Sequence, residues 1–222
     1  SLRTWSGAGH PSEYSEVWME SDGRPIEADV ELWQGPGYTP RKMRVYSQDG
    51  QLRPFRTGMH NAGGRAFAVR NRGPIEFPLA ANVAGGMPTY NGQPESPYAY
   101  DHRQSRQQQH QGQSASRNIQ GGASWSFPFD ATVDSVEVHI MTEGRDLNAK
   151  IEVLQGPNNV MQSIEIEEDD GYLRPFSGVF ETLGVGTVIR IVNTGPIEFP
   201  ISAEIVPHRS MRMYHDRRPS MG

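Results

Sequence analysis

The sequence predicts an all-β protein built from two similar antiparallel β-sandwich domains of about six strands each, related by pseudo-twofold symmetry. Three observations predict this fold class: the sequence repeats itself, apolar residues alternate with polar ones in short runs, and turn residues separate those runs. The chain has 222 residues with 24 Gly and 17 Pro, and hydrophobic residues make up only 35%. This composition favours short strands and many turns over one large core.

The internal repeat is the strongest signal in the chain. Three blocks recur in the same order at a nearly constant offset: 28–36 and 149–157, 49–55 and 170–176, and 71–78 and 193–200. Trp5 and Trp125 mark the start of each copy. Two copies are too few for a solenoid, so we expect two related domains, over residues 1–83 and 125–207, that pack about a pseudo-twofold axis.

Alternating apolar residues predict the strands within each repeat. The alternating residues are Val30, Leu32, Met43 and Val45 in the first repeat, and Ile151, Val153, Ile164 and Ile166 in the second. Gly- and Pro-containing turns separate these runs, which is typical of a sandwich or barrel. Asp49 and Asp170 each precede a Gly, where an Asp side chain bonds the backbone of its own turn.

A segment of different composition separates the repeats. Residues 84–124 are rich in Gln, Gly and Ser and contain almost no aliphatic residues. Such a segment buries too little apolar surface to offset its chain entropy, so we expect a flexible linker. A basic tail follows the second repeat over residues 208–222.

The sequence lacks the motifs that carry catalysis or metal binding. It has 0 Cys, which excludes disulfides, thiolate metal sites and a Cys nucleophile. The 7 His show no metal-ligand spacing, and neither a P-loop nor a nucleophile elbow is present. No window approaches the ~20 apolar residues of a membrane-spanning helix. We therefore expect a protein that is not an enzyme, with no cofactor, no metal and no membrane span.

Two pairs of charged residues recur in both repeats and have two interpretations. Glu76 and Glu198 resemble the paired carboxylates of glycoside hydrolases. The simpler interpretation is structural, with Arg53 paired to Glu76 and Arg174 paired to Glu198, so that each ion pair holds a loop.

The net charge of −5 is unevenly distributed between the repeats. Residues 125–207 hold 14 acidic and 4 basic residues, whereas residues 1–83 hold 9 acidic and 10 basic residues. The sign also changes at equivalent positions, because the basic run over 41–44 corresponds to 162–165, which ends in Glu. A strongly acidic domain beside a small basic set disfavours nucleic-acid binding.

Two similar surfaces of opposite charge suit pairing of the first repeat of one molecule with the second repeat of a neighbour. Such heterologous contacts propagate into open lattices or filaments unless a rotation closes them. We expect outward apolar side chains to supply most of the affinity, and charges to set the register. The candidate interface residues are Trp33, Arg41, Lys42, Arg44, Tyr46, Leu154, Glu165, Glu167, Glu168 and Asp169. The alternative is ordinary drift of solvated residues.

Trp33 and Tyr46 also support a different class of function. Aromatic side chains on the outer face of a sheet can bind sugar rings, so a tandem carbohydrate-binding module is the alternative to a self-assembling protein. The second repeat has Leu154 and Glu167 at the equivalent positions, so this aromatic platform is not shared.

The duplicated Gln-Gly-Pro, Leu-Arg-Pro-Phe and Gly-Pro-Ile-Glu-Phe-Pro blocks resemble those of the diatom pyrenoid shell (PyShell) proteins. The resemblance covers most of the chain outside the linker and implies a structural protein of the chloroplast stroma, at the pyrenoid periphery. It implies self-assembly into a sheet that encases the Rubisco-filled pyrenoid and supports CO2 fixation. The implied partners are further copies of the chain and related shell isoforms, with the Rubisco matrix nearby.

Overall fold

The structure, a computed structural model, describes residues 1–6, 14–60, 66–85, 89–90, 93–94, 114–183 and 186–208. Within these ranges the protein is all-β and antiparallel and has no helix, which confirms the predicted fold class. The predicted basic tail beyond residue 208 and linker residues 95–113 lie outside the described residues.

The strands of the first repeat are β1 (Leu2–Ser6), β2 (Tyr14–Glu20), β3 (Ile26–Trp33), β4 (Arg41–Ser47), β5 (Phe55–His60), β6 (Ala66–Asn71) and β7 (Ala80–Gly85). Three short strands follow: β8 (Thr89–Tyr90), β9 (Gln93–Pro94) and β10 (Ala115–Ile119). The strands of the second repeat are β11 (Ser124–Pro128), β12 (Ser135–Met141), β13 (Leu147–Gln155), β14 (Val160–Glu168), β15 (Phe176–Glu181), β16 (Thr187–Asn193) and β17 (Ile201–His208).

Both large sheets run through both repeats. The first sheet has 8 strands in the order β1-β6-β3-β4-β14-β13-β16-β11, and the second has 7 in the order β10-β17-β12-β15-β5-β2-β7. The repeats join edge to edge, through β4 and β14 in the first sheet and through β5 and β15 in the second. The two repeats therefore share one continuous sandwich.

The register at these junctions reveals the pseudo-twofold axis. Arg44 of β4 faces Glu165 of β14, and these two residues are equivalent positions of the repeats. In the second sheet Thr57 of β5 faces Gly178 of β15, and Gly178 is the residue of the second repeat that is equivalent to Thr57. A residue faces its equivalent only at a twofold axis, so one axis passes through both junctions, perpendicular to the sheets.

The core lies between the sheets and is continuous across the repeats. It contains the inward-facing members of the predicted alternating runs, among them Val30, Met43, Ile151 and Ile164, each at most 1% exposed. Inward residues of the second sheet, such as Phe176, cover them from the other side. The alternation predicted from the sequence is thus the alternation between core and surface.

The described residues form seven strands in each repeat, in agreement with the predicted about six. One boundary differs from the prediction: β10 lies inside the predicted linker over 84–124 and pairs with β17 as an edge strand of the second sheet. No described strand plays the corresponding role beside β7.

Candidate functional site

A row of alternating charges crosses the outer face of the first sheet. Arg44 Nε lies 3.7 Å from Asp29 Oδ1, and Arg44 Nη1 lies 3.7 Å from Glu165 Oε2 across the junction of the repeats. Lys150 Nζ lies 3.6 Å from Glu165 Oε1. In order across the sheet, the members are Arg72, Asp29, Arg44, Glu165, Lys150, Glu152 and Arg190.

The twofold axis explains why the charge changes sign between the repeats. Asp29 and Arg44 of the first repeat correspond to Lys150 and Glu165 of the second, so both charges are inverted. If the repeats were identical at the axis, Arg44 would face a second Arg, and like charges directly opposite each other destabilise a strand pair. The inversion converts this repulsion into attraction within one chain.

A buried ion pair lies at one end of the same junction. Arg41 of β4 and Glu168 of β14 are register partners, and their side chains are 0% exposed. Arg41 Nε donates a hydrogen bond of 2.7 Å to Glu168 Oε2, while Arg174 Nε donates one of 2.7 Å to Glu168 Oε1. Arg174 also pairs with Asp169, to which the Tyr38 hydroxyl donates.

The two arginines experience different electrostatic environments. Burial lowers the pKa of Arg41, although the charge and hydrogen bond of Glu168 act to raise it. Burial also lowers the pKa of Arg174, but hydrogen bonds and charges from Glu168 and Asp169 outweigh burial, and its pKa is raised. Both guanidinium groups remain charged, so the carboxylate of Glu168 is their essential counter-ion.

The other end of the junction uses neutral groups in the same places. Gln162 is equivalent to Arg41 and faces Ser47, which is equivalent to Glu168. Gln162 Nε2 donates hydrogen bonds of 3.4 and 3.3 Å to the carbonyls of Arg53 and Pro54. Arg41 Nη2 likewise donates to the carbonyls of Arg174 and Pro175, which are the equivalent residues of the second repeat. Each repeat therefore holds the β4–β5 or β14–β15 loop of the other.

These observations correct part of the predicted self-assembly interface. Arg41, Glu168 and Leu154 are buried, so the expectation that they contact a neighbouring molecule is wrong. The basic and acidic strands do pair, but they pair inside one chain. The remaining candidates lie on exposed or half-buried surface, and their contact with a neighbour stays a prediction: Trp33, Lys42, Arg44, Tyr46, Glu165, Glu167 and Asp169.

Trp33 and Tyr46 are not placed together. The Trp33 indole is half-buried, and its Nε1 donates a hydrogen bond of 2.7 Å to Glu31 Oε2. Tyr46 faces Glu27 at the opposite end of β3, which puts the two aromatic residues about 20 Å apart along the strand at ~3.3 Å per residue. They cannot both stack on one sugar ring.

The repeated Gly-Pro-Ile-Glu-Phe-Pro blocks form two rigid loops that display an isoleucine. Asn71 Oδ1 accepts a hydrogen bond of 2.9 Å from the Gly73 amide, and Asn71 Nδ2 donates one of 3.0 Å to the Phe77 carbonyl. Arg24 lies over the Phe77 ring at 5.4 Å. Inside this loop Ile75 is 96% exposed.

The second repeat builds the same loop. Asn193 makes the equivalent hydrogen bonds, of 2.9 Å from the Gly195 amide and 2.8 Å to the Phe199 carbonyl. Arg145 lies over the Phe199 ring at 4.8 Å, and Ile197 is 68% exposed. We call the segments 72–79 and 194–200 the display loops.

A second exposed apolar residue recurs beside each display loop. Asp49 Oδ1 accepts hydrogen bonds from the amides of Gln51 and Leu52, at 2.9 and 3.0 Å, which confirms the predicted Asp turn. Asp170 holds residues 172 and 173 in the same way. Leu52 and its equivalent Leu173 are both 52% exposed.

The two sets of exposed apolar residues lie at opposite ends of the sandwich. The contact of Arg24 with Phe77 and the hydrogen bond from the Gly50 amide to the Arg24 carbonyl place the β2–β3, β4–β5 and β6–β7 loops at one end. The twofold axis places the equivalent loops of the second repeat at the other end, because β4 and β14 are antiparallel. The molecule thus presents matching apolar loops in two opposite directions.

The predicted loop-holding ion pairs are wrong in both repeats. Arg174 binds Glu168 and Asp169 instead of Glu198, and among the ion pairs of the described residues neither Glu76 nor Glu198 takes part. Both glutamates are exposed in the display loops. Asparagine, which sequence reasoning missed, holds these loops. The sequence contained a signal for this role, because an asparagine stands at the first position of both repeated blocks.

The family of the chain follows from a comparison with known protein families. The model of the diatom pyrenoid shell protein family matches residues 1–207. The chain belongs to the diatom pyrenoid shell protein family. This confirms the suspected resemblance and, through the family, implies a location in the pyrenoid of the chloroplast. The sequence has no match among curated protein sequences.

Solved structures resemble this diatom pyrenoid shell protein only weakly. A single-residue mutant of Bacillus subtilis oxalate decarboxylase is 10% identical, with a TM-score of 0.24, over 90% of this chain and 66% of that chain. The E. coli protein Ylba is 13% identical, with a TM-score of 0.20, over 96% and 78%. The VP2 subviral particle of infectious bursal disease virus is 12% identical, with a TM-score of 0.14, over 89% and 65%. These scores carry no argument about function.

Metal-binding clusters and membrane-spanning helices are both absent from the described part of this diatom pyrenoid shell protein. Its residues form no group of three or more His, Asp or Glu side chains arranged to hold a metal ion. Within the same ranges no helix is long and apolar enough to cross a membrane.

Proposed function

We propose that the protein is a non-enzymatic structural subunit that self-assembles into the sheet-like shell around the Rubisco-containing pyrenoid, in the chloroplast stroma, and thereby supports CO2 fixation. The family match over residues 1–207 carries this proposal. Its natural partners are further copies of itself and related shell isoforms.

The display loops support self-assembly in particular. An exposed isoleucine contributes little to the core, yet Ile75 and Ile197 occupy equivalent positions in both repeats and are held in rigid loops. Single exposed apolar side chains are common on protein surfaces, but the recurrence of this exposed isoleucine at the equivalent position of both repeats favours a contact role. Because the loops point in opposite directions, contacts made through them connect one molecule to two neighbours and propagate.

Electron microscopy of the purified protein tests this function. We expect ordered sheets or tubes without any added ligand. The double variant Ile75→Asp/Ile197→Asp should keep its circular dichroism spectrum and melting temperature but lose these assemblies, because a charged side chain cannot be buried in the contact. The matched control is Glu76→Ser/Glu198→Ser, which alters the adjacent exposed residues of the same loops and should assemble like the parent.

Two results would contradict the proposal. One is a parent protein that stays monomeric in light scattering at high concentration, at every salt concentration up to physiological. The other is a tagged protein that distributes through the stroma of diatom cells instead of surrounding the pyrenoid. A glycan pull-down with the monomeric protein would favour the carbohydrate-binding alternative.

A further inference from the structure

Arg53 and Arg174 are equivalent buried arginines with different surroundings. They are 3% and 5% exposed, beside the two ends of the β4–β14 junction. The Arg174 guanidinium forms salt bridges with Glu168 and Asp169. The Arg53 guanidinium forms no hydrogen bond or salt bridge with the described residues, and its Nε is buried without an acceptor. The first repeat therefore buries a guanidinium without the carboxylates that bind its equivalent.

The sequence explains why these carboxylates are missing. Glu168 and Asp169 correspond to Ser47 and Gln48, which are neutral. The Ser47 hydroxyl donates hydrogen bonds of 3.1 and 2.9 Å to two backbone carbonyls of its own loop. A glutamate at this position would extend further, by a methylene and a carboxylate. The neutral end of the junction thus has one carboxylate fewer than the charged end.

Asp49 compensates the charge of Arg53 only in part. Burial lowers the pKa of Arg53, and the charge of Asp49 acts in the opposite direction. Asp49 Oδ1 accepts hydrogen bonds from the amides of Gln51 and Leu52. Among the described residues it forms no salt bridge with Arg53. A guanidinium stays protonated in proteins, and a buried charge needs a hydrogen-bonded counter-ion, so this site favours an anion from solution.

Gln162 contributes an acceptor without a donor beside the same arginine. It is 1% exposed, and its Nε2 donates to the carbonyls of Arg53 and Pro54, which fixes the orientation of the amide. Its Oε1 is buried and has no hydrogen-bond partner among the described residues. Leaving a buried acceptor unpaired costs free energy, which a hydroxyl donor would offset. A ligand that satisfies both residues therefore carries a negative charge and a hydroxyl group.

We propose that Arg53, Gln162 and the Asp49 amide bind a small planar oxyanion that carries a hydroxyl group, of which bicarbonate is the simplest. Its charged oxygens accept hydrogen bonds from Arg53 Nε and the Asp49 amide, and its hydroxyl donates to Gln162 Oε1. Hydrogen bonds between charged groups of this kind are about twice as strong as those between neutral groups. This binding site goes beyond the proposed shell function and does not depend on assembly.

The second repeat provides the template for this geometry. Glu168 Oε1 accepts a hydrogen bond of 2.7 Å from Arg174 Nε and one of 3.2 Å from the Asp170 amide. The equivalent donors of the first repeat are Arg53 Nε and the Asp49 amide. The ligand takes the place of a single carboxylate, so a planar ion fits better than a tetrahedral one.

Bicarbonate binding is tested on the full chain by two measurements. The NMR signal of ¹³C-labelled bicarbonate should broaden when the protein is added at pH 8. The melting temperature should rise with bicarbonate concentration at constant ionic strength and then level off, because a ligand of the folded state stabilises it. Absence of both effects would overturn the site, since water would then satisfy these polar atoms.

Nitrate separates the proposed ligand from anions in general. It has the planar shape and the charge of bicarbonate but no hydroxyl to donate to Gln162 Oε1. At equal concentration nitrate should raise the melting temperature less than bicarbonate. An equal rise with nitrate would overturn the proposed class of ligand.

Substitution of Arg53 locates the ligand. Arg53→Gln removes the charged donor and should bind bicarbonate about tenfold more weakly, because charge-assisted hydrogen bonds supply most of the affinity. The matched control, Arg117→Gln, removes the same charge from an exposed position of β10 and should bind like the parent. An equal loss in the two variants would assign the effect to net charge and overturn the site.

Ser47→Glu gives a second test that does not remove the arginine. It provides Arg53 with a carboxylate from the same position that Glu168 occupies in the second repeat. This internal carboxylate should displace the ligand, so that bicarbonate neither broadens in the NMR spectrum nor changes the melting temperature. Parental bicarbonate binding by this variant would overturn the placement of the ligand beside Arg53.

Discussion

Arg41 and Gln162 show how one structural task is solved in two ways. They occupy equivalent positions, and each donates hydrogen bonds to backbone carbonyls of the opposite repeat. Arg41 brings a charge into the core, so that site also needs Glu168 as a counter-ion. Gln162 is neutral and needs no counter-ion, and its register partner is Ser47.

This difference predicts the response of the buried pair to substitution. Glu168→Gln removes the counter-ion of Arg41 and should lower the free energy of unfolding by about 3–5 kcal/mol, the typical cost of leaving one charge of a buried pair uncompensated. The double variant Arg41→Gln/Glu168→Ser copies the neutral pair of the other site and should recover part of that loss. Urea unfolding of both variants measures this. A double variant less stable than Glu168→Gln would contradict it.

Glu181 predicts a pH dependence of stability. Burial raises the pKa of this carboxyl above its ordinary value of 4.5, with a further rise from Asp134 and an opposing effect of Arg56. The folded state therefore binds the proton more tightly than the unfolded state. This contribution to stability is complete below the unfolded-state pKa and is lost as the pH rises through the folded-state pKa.

Glu181→Gln should therefore raise the melting temperature at pH 7 relative to the parent, and should change it little at pH 4. Thermal unfolding followed by circular dichroism at both pH values measures the difference. An equal effect at the two pH values would show that packing, and not ionisation, is responsible.

At the scale of elements, the alternating strands were predictable and the polar ones were not. β3, β4 and β14 bury every second side chain, as does the first half of β13, so their period is visible in the sequence. β10 buries one isoleucine and otherwise consists largely of exposed polar residues, so backbone hydrogen bonds to β17 decide its structure. Such a strand looks like a linker until its partner is known.

The prediction that Arg41 and Glu168 contact a neighbouring molecule was wrong for a related reason. Opposite charges at equivalent positions indicate that two strands pair, and β4 and β14 do pair. Charge alone does not indicate whether the two strands belong to one chain or to two. The twofold axis, which depends on the three-dimensional register, decides this point.

The Asp-Gly turns predict an unequal effect of the same substitution in the two repeats. An alanine Cβ at Gly171 would lie 2.8 Å from Leu147 Cβ and 2.7 Å from Thr142 Oγ1. At Gly50 it would meet the outer carbons of the Ile26 side chain and the hydroxyl of Ser21. Leu147 Cβ is fixed by the backbone, so Gly171→Ala should be the more destabilising, by about 1–3 kcal/mol. Equal melting temperatures of the two variants would contradict this.

At the scale of the molecule, the shared sheets make the repeats mutually dependent. Each repeat alone would expose the junction edges of both sheets and the core beneath them. A homodimer of the first repeat would place Arg44 opposite Arg44 and leave Arg41 buried without Glu168. The inverted charges therefore specify pairing between unlike repeats.

Split halves test this dependence. Residues 1–85 and 114–208, produced separately, should each be poorly folded, and their equimolar mixture should form a 1:1 complex with the circular dichroism spectrum of the parent. The full chain should unfold in a single transition. Size-exclusion chromatography with multi-angle light scattering measures the complex. A stable, folded first repeat on its own would contradict the prediction.

The continuous sheets also make the molecule mechanically anisotropic. Tension along the strands is carried by the covalent backbone, whereas tension across them is carried by inter-strand hydrogen bonds, which lie perpendicular to the strands in antiparallel sheets. Because both sheets continue from one repeat into the other, both kinds of load pass between the repeats through the β4–β14 and β5–β15 ladders. We therefore expect a single molecule to resist more force when it is pulled along its strands than when it is pulled across them.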